Sequence, residues 1–299
     1  MLIVVTGARG FLGRHLLPLL VKDGHRVIAV DRRPVALDGV VRGVEYHTSD
    51  LSDPSTLIPP HFEPIEKFTL IHLAWDLRQR ETSYRVQSEQ VSALAGLLDY
   101  WRDRGLSYVI APGSAQEYGA RGGILSEDLS PEEPLSPYGW AKRATYEMAS
   151  SWSRQSGIGL LWLRPFIIYG PGQAGSMLIP YAVRQARDRA RAEFTDCLQV
   201  RDFVYISDVV EAIRLGVQKQ LPGQTALNLG SGEPVSAREI LSAIAAHFGV
   251  SELFAFGARP RRLGEPDLQA ADNARAKRVL GWEPQVGWRE GVRRVCAAE

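Results

Sequence analysis

Along the first half of the chain, apolar positions alternate between short β-branched runs and longer stretches with apolar residues three and four apart. That alternation is the pattern of βαβ units feeding a parallel sheet. It predicts strands over Leu2–Thr6, Arg26–Val30, Val44–Tyr46, Thr69–His72, Tyr108–Ala111 and Leu160–Leu163. Between and beyond them it predicts helices over Phe11–Lys22, Thr82–Asp103, Tyr138–Ser156, Ser207–Gln218 and Ala237–Phe248. Gly24, Gly105, Gly157 and Gly249 stand where helices must stop, each suited to a left-handed terminal conformation. Pro18 breaks a local rule inside the first helix and predicts a kink. Past Arg164, Pro165, Gly170, Pro171, Gly172 and Gly175 mark where the chain leaves the first sheet. The expected fold class is α/β, a doubly wound parallel sheet over residues 1–171 and a smaller α/β domain over 172–299, with about 202–230 returning to the first.

Composition narrows the function classes. The chain has 299 residues, 45% hydrophobic and 23% charged, the profile of an ordinary globular protein with room for two cores. Lys+Arg 35 against Asp+Glu 34 leaves a formal charge of +1, so no global field recruits nucleic acid or an anionic membrane. The two cysteines, Cys197 and Cys296, lack a partner at metal-ligand spacing, and the six histidines form no HxxxH or HExxH pattern, so no metal site is expected. The chain opens on the strand-like Met1–Val5 rather than a basic segment followed by a long apolar run, and a cytoplasmic location is the default expectation.

Thr6-Gly7-Ala8-Arg9-Gly10-Phe11-Leu12-Gly13 lies between the first strand and the first helix, the context in which a glycine pattern signals dinucleotide binding. Gly7 permits the tight turn, Gly10 admits a pyrophosphate to the backbone, and Gly13 lets helix pack close on strand. The helix N-terminus then offers its amides to the phosphates. Asp31 ends the second strand where a carboxylate accepts from a ribose 2′-hydroxyl and repels a 2′-phosphate, which favours NAD; Arg32 and Arg33 follow and leave NADP open. Tyr138-Gly-Trp-Ala-Lys142 sets a phenol and an ammonium four residues apart on one helix face. That spacing is common on helices; beside a nucleotide site it predicts an acid/base phenol whose pKa the neighbouring cation lowers.

With these motifs in order, and Ser114–Gly119 between them, the chain resembles the extended short-chain dehydrogenase/reductases, and within them the nucleotide-sugar epimerase/dehydratase branch. Ser49-Asp50-Leu51, His72-Leu73-Ala74, Arg164-Pro165, Tyr169–Gly172, Arg201–Tyr205, Asn228–Gly232 and Leu280-Gly281-Trp282 extend the likeness to the C-terminus. The resemblance implies a Rossmann-type fold, NAD as cofactor and a nucleotide sugar as substrate. It implies catalytic roles for Ser114, Tyr138 and Lys142. It places cofactor contacts at Gly7, Arg9, Gly10, Phe11, Leu12, Gly13, Asp31, Arg32, Asp50, Leu51, Leu73 and Ala74 as well as at Tyr138 and Lys142. Substrate contacts follow at Ser114, Gln116, Arg201 and Arg262, the two arginines clamping the diphosphate. In relatives the helices matching Thr82–Asp103 and Tyr138–Ser156 pair with their copies, so a homodimer is expected, with Val91, Leu94, Leu98, Met148 and Trp152 on its stripe or in the core.

Departures from the family pattern bear on the reaction. Where sugar 4,6-dehydratases carry carboxylates this chain has Ala115 and Gln116, and Glu117 is expected on the opposite face of a strand-like segment. Gly113–Gly119 most resembles the stretch of 4-keto-6-deoxysugar reductases. Gln90 and Ile167 stand where many relatives have Asn, and Glu193–Gln199 lacks a glycine turn. Reduction of a 4-keto group is the first reading, C4 epimerisation the second, and a non-catalytic nucleotide-binding protein on the same fold the third.

Overall fold

The computed structural model describes residues 1–34, 39–59, 67–77 and 79–298. The chain opens with β1 (Leu2–Thr6), α1 (Phe11–Lys22), β2 (Arg26–Asp31), β3 (Val44–Thr48), β4 (Phe68–His72), α2 (Tyr84–Trp101) and β5 (Leu106–Pro112). There follow β6 (Gly123–Leu125), α3 (Pro137–Ser156), β7 (Gly159–Pro165), β8 (Ile167–Tyr169), α4 (Leu178–Arg187), β9 (Ala192–Glu193), β10 (Val200–Arg201) and β11 (Phe203–Tyr205). The chain continues through α5 (Ile206–Lys219), β12 (Gln224–Leu229), β13 (Val235–Ser236), α6 (Ala237–Phe248), β14 (Phe254–Ala255), β15 (Leu268–Ala271), α7 (Ala274–Leu280) and α8 (Trp288–Ala298).

A seven-stranded sheet runs in the order β12-β7-β5-β4-β1-β2-β3, and its ladders from β3 to β7 are parallel. This is the Rossmann-type doubly wound sheet. β1, β4 and β7 are buried along their whole length, because helices cover both faces of a parallel sheet, and their sequences are accordingly continuous apolar runs. The chain steps outward from β1 to β3 and then crosses to β4, so the switch point falls at the C-terminal ends of β1 and β4. Pro18 is exposed and lies within α1, which runs from Phe11 to Lys22 on both sides of it. The prolyl ring removes one amide donor on the exposed side of the helix.

The chain forms two compact units. The first comprises Met1–Gly119, Ser136–Arg164 and Val210–Leu227; the second comprises Ala120–Leu135, Pro165–Val209 and Asn228–Glu299. In the first unit Leu94 and Leu98 of α2 are buried in the core that Val4, Ile28, Leu70 and Trp162 share, and Met148 and Trp152 of α3 pack against it. Those four residues of the expected dimer stripe therefore serve the protomer's own core at least in part. In the second unit a four-stranded sheet runs β13-β10-β15-β6, with α6 packed on α4 and α8. Asp202 is fully buried there and accepts from Ser231 Oγ at 2.7 Å and Ala271 N at 3.2 Å. A Cβ at Gly230 would come within 2.2 Å of that carboxylate, which explains the glycine. No described helix is long and apolar enough to cross a membrane.

Candidate active site

The loops at the switch point touch. Gly7 adopts φ 66°, and a Cβ on it would lie 2.5 Å from Ala74 N, so the turn after β1 closes on the loop after β4 only with glycine. Gly10 caps α1 through its backbone, and Gly13 packs so tightly that a Cβ would fall 2.2 Å from Ala8 O. Leu73 N donates to Thr6 O at 3.0 Å and Ala74 N to Thr6 Oγ1 at 3.4 Å, and Thr6 Oγ1 is hydrogen-bonded to His72 Nδ1 at 2.9 Å. Burial pushes the His72 imidazole down to about 3, with the Lys142 charge adding to the effect. The first turn of α1, carrying Phe11 and Leu12, thus sits on a fixed backbone cradle whose amides can face an anion.

Asp31 ends β2, and its carboxylate accepts from Arg9 N and Arg33 N, each at 3.3 Å. Arg32 reaches Asp76 at 3.4 Å while remaining 57% exposed, so its charge already has an acidic neighbour. The Arg9 guanidinium donates to Arg33 O and Pro34 O. Asp50 is exposed, and hydrogen bonds from Ser52 hold its carboxyl below the usual range; Leu51 beside it is half-buried.

The three expected catalytic residues meet in the first unit. Ser136 caps α3 by accepting from Gly139 N at 3.0 Å, Pro137 presets its first turn, and Gly157 ends it at φ 75°. Tyr138 and Lys142 therefore share one face. Ser114 hydrogen-bonds the Tyr138 phenol and also accepts from Gln116 N at 3.1 Å. Lys142 Nζ donates to Pro112 O at 2.8 Å and lies 3.6 Å from the centre of the Trp75 ring. It is 5.8 Å from the Tyr138 ring centre. The expectation that Lys142 lowers the phenol's pKa is corrected for the polypeptide alone, where burial pushes Tyr138 up to about 12, against the Ser114 hydrogen bond. Burial likewise pushes the Lys142 ammonium down to about 7, with Glu117 opposing.

Glu117 lies in a 3-10 turn over Ala115–Tyr118, not in a strand-like segment, because Ser114 and Glu117 form a capping box. Its buried carboxylate accepts from Ser114 N at 2.8 Å, Trp162 Nε1 at 2.9 Å and Arg164 Nε at 2.7 Å. It is committed to holding Ser114. Gln116 is exposed, and its Oε1 accepts from Ser136 Oγ at 2.8 Å, tying the 3-10 turn to the start of α3. In the second unit Arg201 is buried and pairs with Glu265 at 2.9 Å, while the exposed Arg262 donates to Leu135 O.

Residues 3–230 match the NAD dependent epimerase/dehydratase family. The chain belongs to that family. It is 29% identical over 314 residues to the Bacillus subtilis protein named uncharacterized UDP-glucose epimerase YtcB, covering 98% of this chain and 96% of that one. It is 27% identical to CDP-abequose synthase of Salmonella typhimurium, covering 97% of this chain and 95% of the other. Among solved structures it is similar to MoeE5 in complex with UDP-glucuronic acid and NAD, at 32% identity, TM-score 0.86, and 99% and 98% coverage of the two chains.

For this member of the NAD dependent epimerase/dehydratase family, the residues fit the family's cofactor. Glycines stand where any Cβ would collide with backbone, a helix start faces the turn they make, and a carboxylate ends β2. What the sequence did not single out is Trp75, whose ring contacts both Lys142 and Tyr138. The available signal was an indole directly after His72-Leu73-Ala74 with Gln87 and Gln90 three residues apart on the next helix.

Proposed function

We propose that this protein is an NAD-dependent nucleotide-sugar C4 oxidoreductase acting as a 4-epimerase on a UDP-hexose or UDP-hexuronate. The observation that carries the reading is the Ser114–Tyr138 hydrogen bond with Lys142 one turn along the same helix, in a unit whose glycine turn and Asp31 suit NAD. Ala115 and Gln116 supply no carboxylate for water loss, and Glu117 is occupied by Arg164, Trp162 and Ser114, which counts against dehydration. The names of the relatives, UDP-glucose epimerase among them, and the UDP-glucuronic acid held by MoeE5 support the sugar-nucleotide class.

NAD, when bound, supplies a hydride acceptor and donor at its nicotinamide. Tyr138 then takes the proton of the sugar 4-hydroxyl as that carbon is oxidised and returns it when the 4-keto group is reduced from the other face. A phenol that burial holds neutral up to about pH 12 is a competent donor, and needs the Lys142 cation to become a competent acceptor. Ser114 hydrogen-bonds the reacting oxygen and fixes its distance from the phenol. Lys142 holds the nicotinamide ribose. Asp31 favours NAD over NADP, and with Arg32 neighboured by Asp76 less positive charge is left for a 2′-phosphate. Arg201 and Arg262 bind the substrate diphosphate, Arg201 exchanging Glu265 for phosphate oxygens.

Reduction of a free 4-keto sugar is the second reading, favoured by the likeness of Gly113–Gly119 to the reductase stretch. Incubation with UDP-glucose or UDP-glucuronic acid and NAD separates the two. The C4 epimer without net NADH is the expected product. Absence of any epimer, together with stoichiometric NADH consumption on a nucleotide-4-keto-6-deoxysugar, would replace the first reading by the second.

A further inference from the structure

Trp75 stands on the loop after β4, and the two faces of its environment differ sharply. On one side its ring lies 3.6 Å under the Lys142 ammonium and meets the Tyr138 ring edge-on, at 6.1 Å between centres and 90° between planes. On the other side its Nε1 donates to Gln87 Oε1 at 2.8 Å. Gln87 is fully buried, and its amide donates to Asp76 O at 3.0 Å, while Gln90 accepts from Asp76 N at 3.1 Å. Two glutamines of α2 therefore grip the Trp75–Asp76 segment from both its side chain and its backbone. A buried amide inside a helix has a cost that only such satisfied hydrogen bonds offset. The indole's direction is fixed by construction, and what it is fixed against is the Lys142 ammonium.

We propose that Trp75 is a positioning residue of the active site: its π face holds the Lys142 ammonium charged and in place, so that the cofactor ribose meets a preformed cationic donor. This rests on the reading of Lys142 as a cofactor-site residue. Around Lys142 the titratable groups are Glu117 on the 3-10 turn, His72 at the end of β4 and Tyr138 on α3, with Arg80 and Glu81 acting on the phenol in opposite senses. Glu117 favours the charged ammonium; His72 and Tyr138 are neutral at pH 7 and give it no charge to pair with. Burial holds this lysine near the pH at which it would lose its proton, so a contact that favours only the charged form decides which form dominates. A desolvated cation–π contact is worth about one pH unit on the lysine's titration midpoint.

The chain has five lysines, so each ε-carbon can be followed by ¹³C NMR, with the Lys142 signal assigned by its loss in Lys142→Arg. In Trp75→Leu the Lys142 midpoint is expected to fall by about one pH unit, and in Trp75→Phe, which keeps a π face, by less than half of that. NAD affinity by calorimetry should weaken in Trp75→Leu more at pH 8 than at pH 6. An unmoved midpoint in Trp75→Leu, or equal falls in the Leu and Phe variants, overturns the proposal. Should Trp75→Leu fail to fold, Gln87→Met, which frees the indole, must lower the midpoint by a smaller amount; no change there overturns it too. The titration needs no substrate. A lowered midpoint in a protein inactive on every nucleotide sugar would sink the proposed function and leave this inference standing, and turnover with an unmoved midpoint would do the reverse.

Discussion

In the proposed reading the glycine turn of the first unit and the arginine pair of the second both meet phosphates, but by opposite means. At the turn the backbone itself forms the surface, and side chains are excluded by contacts of 2.5 Å at Gly7 and 2.2 Å at Gly13. At the pair the surface consists of long side chains that already have partners, Glu265 for Arg201 and Leu135 O for Arg262. The first arrangement is finished before a ligand arrives. On that reading the second exchanges one set of hydrogen bonds for another, so part of the binding energy goes into releasing Glu265. Ser114 and Tyr138 belong to the first kind, since Glu117, Ser136 and Gln116 hold their backbone in place.

The largest effect expected from breaking the prearranged half is chemical. Tyr138→Phe should cost about 10²–10⁴ in rate with NAD affinity nearly unchanged, because only the proton is removed; steady-state kinetics beside calorimetry measures both, and activity within a few-fold of wild type would refute the role. Gly13→Val comes next. It drives two methyl groups toward Ala8 O, and overpacking of that kind costs about 3 kcal/mol, read by urea unfolding together with loss of NAD binding.

The adaptable half should respond differently. Arg201→Ala is expected to raise KM for the nucleotide sugar by about 10- to 100-fold, the worth of a charge-assisted hydrogen bond, while NAD affinity stays put. Equal losses of both would mean that Arg201 serves the fold through Glu265 rather than the substrate.

A smaller effect sharpens the comparison from the stability side. Burial pushes His72 down to about 3 from 6.5, so the folded imidazole stays neutral while the unfolded one gains a proton. Its contribution is whole above about pH 6.5 and is lost as pH falls toward 3, at about 1.4 kcal/mol per unit. Between pH 7 and pH 5 urea unfolding should therefore show a loss of about 2 kcal/mol that His72→Gln removes. The same pH dependence in that variant would show that His72 is not the group responsible.

Legibility in the sequence follows the same division. The turn was readable because only glycine satisfies its backbone, and α1 and α6 have the predicted bounds because a glycine turn, a capping Ser236 and the left-handed Gly249 delimit them. The Tyr138 and Lys142 pair was readable from helical spacing, but its electrostatics were not. Which carbonyl or ring a lysine reaches is settled by packing, and here Pro112 O and Trp75 won over the phenol. Glu117 was misplaced because a 3-10 turn and a strand differ in which neighbours share a face, and Trp162 and Arg164, which fix its direction, lie more than forty residues away. Short elements such as α4, α7 and α8 were not assigned, their apolar positions being too few to declare a period.

The central claim is that the chain oxidises and re-reduces one sugar carbon through Tyr138 and a bound nicotinamide. UDP-glucose carrying deuterium at C4 tests it most directly, with the product followed by NMR and mass spectrometry. The expected result is the C4 epimer with its deuterium retained at C4, because the hydride that leaves that carbon returns to it, and formation of this product about 10²–10⁴ slower in Tyr138→Phe. An epimer that has exchanged its deuterium for solvent hydrogen, or one that Tyr138→Phe forms as fast as wild type, would contradict the account.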